Sequence, residues 1–337
     1  MRVSEFDYDL PAEAIAQEAI EPRDTSRLLL LDGLEDLLFS DLPQILSAGD
    51  VLVVNRTRVR AARLVGARRP GGGKTEVLLT QRGDLERWRA LVRPANKVHV
   101  GTVIDCGELE VSVLSEPAAG VVTVQIHARG DVEEAIAAVG TVPLPPYFHG
   151  DLEDPERYQT MFADTIGSSA APTAALHFTP RLVAELTELG VTFAEVDLEV
   201  GIDTFRPMSS DDIEDHDIHS ERIEVGEQAV EALARTRADG GRVVGVGTTV
   251  VRTLESVAND DGTISAYRGP TDLFITPGYR TRVVDAMITN FHAPRTTLLV
   301  MLSALVGDRW KDAYTHALES GYRFLSFGDA MYLEIDR

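Results

Sequence analysis

Apolar and polar positions follow several rhythms along the chain. Near the N-terminus the runs 27–31 and 50–54 are almost continuously apolar and are bounded by Asp, Gly or Pro, which predicts strands of a central sheet. Between 60 and 146 the texture changes. Short β-rich runs at 76–80, 88–92, 109–114 and 121–127 are separated by Gly and Pro, including Pro70-Gly71-Gly72-Gly73 and Val100-Gly101-Thr102. Strands at that spacing predict a small barrel or sandwich. Beyond Val142-Pro143-Leu144-Pro145-Pro146 helical spacing appears. The run 180–189 stops at Gly190 and leads into a strand at 191–198, and 226–238 stops at Gly240-Gly241 before a strand at 242–246. These αβ units predict an α/β fold: a mixed-sheet α/β domain (1–60 and 147–337) with a small β-barrel domain inserted at 61–146.

Composition narrows the class. The chain has 337 residues, 44% apolar and 26% charged, enough to bury a core and too apolar for disorder. Its longest apolar runs, such as 296–306, fall short of the ~20 residues a bilayer span needs. The first ten residues carry Glu5, Asp7 and Asp9 with no apolar stretch, so a cytoplasmic protein without a signal peptide is expected. A single cysteine, Cys106, excludes an internal disulfide framework and a cysteine-ligated zinc cluster.

The net charge of −22 hides an uneven distribution. Residues 55–97 hold twelve basic side chains against three acidic ones, a local +9, so the rest of the chain carries −31. A basic island in an acidic body is a candidate phosphate-binding surface. The plainer reading is a solvated strand edge whose arginines prevent edge-to-edge pairing.

Three segments carry candidate chemistry. The strand 242–246 runs into Gly247-Thr248-Thr249 and then a helix containing Arg252 and Glu255. Free first-turn amides there would favour a phosphate or a carboxylate, although the third glycine of a dinucleotide fingerprint and the Gly-Lys-Ser/Thr of a P-loop are missing. The segment 215–221 (DHDIHSE), read as lying between a strand and a helix, is a candidate acid/base pair ahead of a metal site, with a capped loop as the simpler alternative. His177 and His292, the latter beside Thr289 and Asn290, border helix starts; a satisfied core histidine is the ordinary explanation for each. No Gly-x-Ser-x-Gly is present, which argues against an acyl-enzyme hydrolase.

Taken jointly and in order, several stretches resemble one family. They include 1–7 (MRVSEFD), 21–29 (EPRDTSRLL), Thr57-Arg58-Val59 with Ala62-Arg63-Leu64, and 142–147 (VPLPPY). Further on come 156–160 (ERYQT), 171–178 (APTAALHF), 204–207 (TFRP) and His219-Ser220-Glu221. The series ends with 246–256 (VGTTVVRTLES), 271–279 (TDLFITPGY), 289–292 (TNFH) and 322–331 (YRFLSFGDAM). The chain thereby resembles the S-adenosylmethionine:tRNA ribosyltransferase-isomerases of queuosine biosynthesis. The resemblance implies a two-domain, L-shaped enzyme that transfers the ribosyl part of S-adenosylmethionine to the aminomethyl group of a 7-deazaguanine at the tRNA wobble position. Isomerisation gives epoxyqueuosine, and adenine and methionine leave. It also implies a monomer that uses no metal and binds the tRNA anticodon stem-loop.

On that resemblance, His219, Glu221 and His177 are candidate bases for the C5′ proton that a sulfonium acidifies, with His292 a fourth catalytic candidate. Gly247, Thr248, Thr249 and Arg252 would take the methionine carboxylate, and Thr289 and Asn290 the adenine or ribose. Arg58, Arg63, Arg68, Arg69, Arg87 and Arg206 would meet tRNA, and Phe178, Phe205 or Phe291 would stack on the flipped base. The chain departs from the family pattern at Arg56 (family Asp), Ala175 (Gly), Glu199 (His) and Asp203 (Gly). These departures leave two alternatives: a paralogue with another, free small-molecule deazaguanine acceptor, or a tRNA-binding relative with lowered turnover.

Overall fold

A computed structural model describes residues 1–149, 152, 154–201 and 206–335. The chain forms two compact units, one of Met1–Arg58, Pro145–Thr165 and Ala171–Arg337, the other of Val59–Leu144 with Ile166–Ala170.

The larger unit is built on a nine-stranded mixed sheet. Its strands are β1 (Arg27–Leu30), β2 (Glu35–Leu38) and β3 (Val51–Asn55), then β12 (Thr192–Leu198), β13 (Glu221–Val225), β14 (Val243–Val246), β15 (Tyr267–Thr271), β16 (Ala286–Asn290) and β17 (Ala330–Glu334). The spatial order is β15-β13-β12-β3-β14-β16-β17-β1-β2. The four central strands β12, β3, β14 and β16 run parallel, while β13 and β17 flank them antiparallel.

Successive residues of the central strands serve different cores. Val51, Val53, Val243, Met287 and Met331 enter one cluster with α4 (Glu227–Ala238), α5 (Thr248–Ser256), α6 (Thr297–Val306) and α7 (Arg309–Glu319). Leu52, Val54, Val244, Val246, Ile288 and Tyr332 enter the other, with α1 (Leu42–Ile45) and α3 (Pro180–Leu189). A sheet covered on both faces needs apolar residues at every position, which is why these strands read as unbroken apolar runs. The expected helix 180–189 is α3: Thr179 Oγ1 accepts from the Leu182 amide, Pro180 opens the first turn, and Gly190 closes the helix at φ +95°.

The registers gather one edge of this sheet into a platform. Asn55, Val246 and Asn290 end their strands there, and Ala330 lies opposite Asn290. Glu221, at the start of β13, and Ser26, just before β1, reach the same edge because those strands run the other way. The carboxyl ends of parallel strands are the usual place for ligands in such sheets.

The smaller unit is a closed antiparallel barrel of six strands. In chain order these are β5 (Arg63–Arg69), β6 (Lys74–Arg82), β7 (Arg87–Arg93), β8 (Val103–Asp105), β9 (Leu109–Val113) and β10 (Val121–Ala128). Leu64, Val77, Leu79, Trp88, Val92, Ile104, Val111, Val124 and Ile126 fill it, joined by Ile136 of α2 (Val132–Val139). Two short strands, β4 (Thr57–Val59) and β11 (Thr165–Ser168), lie where the chain passes from one unit to the other.

β5 and β8 have no counterpart in the sequence reading. In β5, Gly66 stands where a Cβ would meet the Asp105 carbonyl at 2.4 Å, so the close crossing excludes the apolar side chain that would have marked a strand.

Half of the basic run is neutralised internally. Arg56, Arg58, Arg60, Arg63, Arg69 and Arg82 are ion-paired, to Asp197, Glu156, Glu133, Glu76, Glu110 and Glu86. Among the described residues Arg68, Lys74, Arg87, Arg89, Arg93 and Lys97 have no ion pair. Arg87, Arg89 and Arg93 alternate with inward Trp88, Ala90 and Val92, so β7 presents a stripe of exposed guanidinium groups.

Candidate active site

A cleft runs along Leu298 at the platform edge of the larger unit. One end is lined by His219, Glu221, Arg252, Leu273, Phe274 and Met301, the middle by Gly247, Thr248, Thr249 and Val200, the other end by Asn290, His292, Tyr147 and Ser326. His219, Glu221, His292, Gly247, Thr248, Thr249, Arg252, Thr289 and Asn290, singled out from the sequence, all line it.

Glu221 anchors the first end. It is buried, and its carboxylate accepts from the Gly201 amide (2.9 Å), His219 Nε2 (3.0 Å) and Arg252 Nη1 (2.6 Å). Burial pushes its pKa up, but the His219 bond, the Arg252 charge and the Gly201 amide outweigh that and hold it below the usual carboxylate range. Glu221 is therefore ionised, and it holds the His219 ring through Nε2. The segment 215–221 leads into strand β13 rather than a helix, a correction that explains this geometry: pairing of β13 with β12 carries Glu221 into the sheet edge.

Arg252 is tied into the site's own framework. Its Nε donates to the Leu273 carbonyl, Nη1 to Glu221, and Nη2 to the His219 and Thr271 carbonyls. With four of its five N–H groups engaged in this way and the side chain only 8% exposed, it braces Glu221.

Gly247 makes the middle of the cleft. Its φ of +95° with ψ 157° is open only to glycine, and it lets β14 turn directly into α5. In the first turn of α5 the Val250 amide bonds back to the Gly247 carbonyl, which leaves the Thr248 and Thr249 amides without an intrahelical acceptor. Beside them Thr249 Oγ1 is buried without a hydrogen-bond partner.

At the other end Asn290 is 3% exposed. Its Nδ2 donates to His177 Nε2 (3.2 Å) and to the Leu325 carbonyl (3.2 Å), while Oδ1 is buried and unpartnered. Rotating the amide would set Oδ1 against the Leu325 carbonyl, so the orientation is fixed by repulsion. His292 Nε2 lies 2.9 Å from Thr289 Oγ1, and burial lowers its pKa to about 3, keeping the ring neutral.

His177 is also corrected. It sits behind Asn290, fully buried, with Nδ1 2.7 Å from Ser26 Oγ and Nε2 bonded to Asn290. Burial first, then the Arg323 and Arg23 charges, lower its pKa to about 3. Both nitrogens are engaged, so it orients Asn290 and is no base. Phe178, packed on Phe39, Phe162 and Phe193, is a core residue, while Phe291, buried against Tyr314, Tyr322 and Phe324, also borders the Asn290 end of the cleft. Phe205 and Asp203 lie outside the described residues. Arg206 is exposed.

Of the described departures from the family pattern, Arg56, Ala175 and Glu199 are not among the residues lining the cleft. Arg56 pairs with Asp197 at 2.8 Å, Glu199 is exposed, and Ala175 is in the core. Sequence reasoning missed the role of Ser26 and of the Arg23 neighbourhood. A polar cluster immediately before an all-apolar strand was the available signal. Among the described residues no group of three or more His, Cys, Asp or Glu side chains could hold a metal, and no helix is long and apolar enough to cross a membrane.

Comparison with known proteins gives a consistent result. The sequence pattern of the queuosine biosynthesis protein family matches residues 3–333. An S-adenosylmethionine:tRNA ribosyltransferase-isomerase of Symbiobacterium thermophilum is 48% identical over 99% of this chain and 100% of its own length. The like-named protein of Moorella thermoacetica is 50% identical over the same shares. The crystal structure of an S-adenosylmethionine tRNA ribosyltransferase from Thermotoga maritima, 36% identical, matches with a TM-score of 0.56 over 98% of this chain and 100% of that one.

Proposed function

The chain belongs to the queuosine biosynthesis protein family, and on that premise we propose that it carries out S-adenosylmethionine:tRNA ribosyltransferase-isomerase chemistry in the cleft along Leu298. The ribosyl part of S-adenosylmethionine passes to the aminomethyl group of the wobble 7-deazaguanine, and adenine and methionine are released. The observation that carries the placement is the pair of buried, unpartnered polar atoms, Thr249 Oγ1 and Asn290 Oδ1, in one cleft with an ionised Glu221. Unmatched buried polar groups are costly in a protein, and here a bound ligand supplies the missing partners.

His219 is the base we assign to the C5′ proton. Glu221 fixes its tautomer and stabilises the imidazolium that forms, and Arg252 keeps Glu221 ionised. The same carboxylate favours a sulfonium nearby. The first turn of α5 takes the methionine carboxylate. Asn290 Oδ1 accepts from a base amino group, held in place by His177. His292, neutral and tied to Thr289, serves as a hydrogen-bonding wall. The unpaired cations of the barrel, with Arg87, Arg89 and Arg93 at their centre, meet the phosphates of the anticodon stem. The tRNA substrate supports a cytoplasmic enzyme, and we carry the monomer forward from the family resemblance.

Purified protein incubated with labelled S-adenosylmethionine and tRNA carrying the aminomethyl precursor is expected to release adenine and methionine and to yield a nucleoside with the mass of epoxyqueuosine. Release of S-adenosylhomocysteine instead would identify a methyltransferase and end this reading.

A further inference from the structure

Behind the Asn290–His177 wall a second, smaller cavity is lined by Ile20, Arg23, Arg157, His177, Ser326 and Phe327. Ser326 also lines the reaction cleft, so the two spaces are neighbours. Arg157 is backed by Glu21 at 2.8 Å, and Arg323, at the His177 edge, by Asp329 at 3.6 Å. Arg23 has no such backing. Its Nη1 and Nη2 donate to the Gln159 and Glu156 carbonyls, and among the described residues no carboxylate forms an ion pair with it. The nearby carboxylates are engaged elsewhere: Glu156 with Arg58, Glu21 with Arg157, and Asp154 with the Glu156 amide. Burial first, then the Arg157 charge, lower the Arg23 pKa against the smaller opposing pull of Glu21, Asp154 and Glu156. A guanidinium set beside another without its own counterion is a cost that a bound anion removes.

We propose that this Arg23–Arg157 cavity binds a phosphodiester flanking the wobble nucleotide of the tRNA, and so fixes the backbone from which the acceptor base is turned into the adjoining cleft. The proposal rests on the tRNA-modifying reading above. Two features favour a polymer phosphate over the carboxylate of the small donor. The Arg23 Nη2 contact lies at the exposed rim, within reach of a bulky nucleic acid. The α5 first turn, on the far side of Asn290, already offers the donor carboxylate a site.

The test uses the full-length protein and anticodon stem-loop RNAs in which the phosphate on either side of the wobble nucleotide is replaced by a neutral methylphosphonate. On the wild type one replacement is expected to weaken binding roughly 10- to 100-fold, the range of a charge-assisted hydrogen bond. R23Q is expected to bind unmodified RNA correspondingly more weakly, with the salt slope reduced by about 0.7–0.9 for one lost phosphate, and to show no further loss with the neutral linkage. Equal loss with wild type and R23Q overturns the proposal. So does weaker S-adenosylmethionine binding by R23Q with RNA binding unchanged, which would assign the cavity to the donor carboxylate. Should R23Q fail to fold, R23K replaces it, keeping the charge without the planar fork. A wild type indifferent to both neutral linkages overturns the proposal by itself. Adenine release by the wild type with modified tRNA reports separately on the enzymatic reading.

Discussion

Replacing Glu221 by Gln keeps the side chain's shape and removes its charge. Its partner Arg252 is 8% exposed and donates to it at 2.6 Å, so the substitution leaves a buried guanidinium facing a neutral amide. Breaking a buried pair from one side costs about 3–5 kcal/mol. At about 2–4 °C per kcal/mol for a unit of this size, the melting temperature should fall by roughly 6–20 °C. The pH dependence sharpens the test. Because the folded pKa of Glu221 is held below its ordinary value, its contribution is fully present above the unfolded value of about 4.3 and is lost as pH falls through the folded one. Urea unfolding should therefore separate E221Q from wild type by the full amount at pH 7 and by progressively less as the pH falls below about 4. A gap under about 1 kcal/mol at pH 7, or one undiminished in acid, would refute the assignment of an ionised, load-sharing pair. In the double variant E221Q/R252M the two losses should fall well short of additive.

Three further outcomes follow from the same structure. T249V removes a hydroxyl that has no partner in the protein, so stability should change by no more than about 0.5 kcal/mol, while calorimetry should show S-adenosylmethionine binding roughly 5- to 10-fold weaker; unchanged binding would remove Thr249 from the site. Replacing Arg87, Arg89 and Arg93 together by Gln should flatten the salt dependence of tRNA binding by about 2–3 in log–log slope and leave donor binding intact, so an unaltered slope would clear the barrel stripe of phosphate contacts. His177 and His292, each held at about 3, stay neutral where the unfolded chain protonates, so stability should fall as pH drops from about 6.5 toward 3, at about 1.4 kcal/mol per pH unit for each. H292Q should remove one proton's worth of that slope, as read from urea midpoints at pH 7 and pH 5.

What the sequence disclosed depended on whether a signal was local. Continuous apolar runs announced the doubly covered strands β3 and β14, and Thr179-Pro180 with Gly190 announced both ends of α3. The clustering of Gly247, Thr249, Asn290 and Glu221 was anticipated as a set of motifs, while their meeting along Leu298 depends on strand order that no local pattern encodes. Long-range pairings stayed hidden for the same reason. Ser26 bonds His177 across 151 positions and Arg23 reaches the Gln159 carbonyl across 136, so the polar cluster before β1 signals a site without naming its partners. Arg252 is expected as a ligand contact because it follows the Gly247-Thr248-Thr249 turn by three residues; only the fold shows most of its donors engaged within the protein. The basic run misled in magnitude, since Glu110 and Glu133, outside it in sequence, cancel part of its charge in space.

The barrel's first and last strand-like positions are tied to each other: the Arg63 amide donates to the Thr141 carbonyl and the Thr141 amide to the Arg63 carbonyl, both at 3.0 Å. To the remainder of the polypeptide, the module, apart from the short segment Ile166–Ala170, therefore enters and leaves through one hydrogen-bonded doorway. Closing that doorway costs far less entropy than tethering a floppy excursion of equal length, which makes this the natural seam for grafting. A short turn spliced between those two residues should leave the parent sheet able to assemble, and a foreign barrel with equally close ends should be accepted in its place.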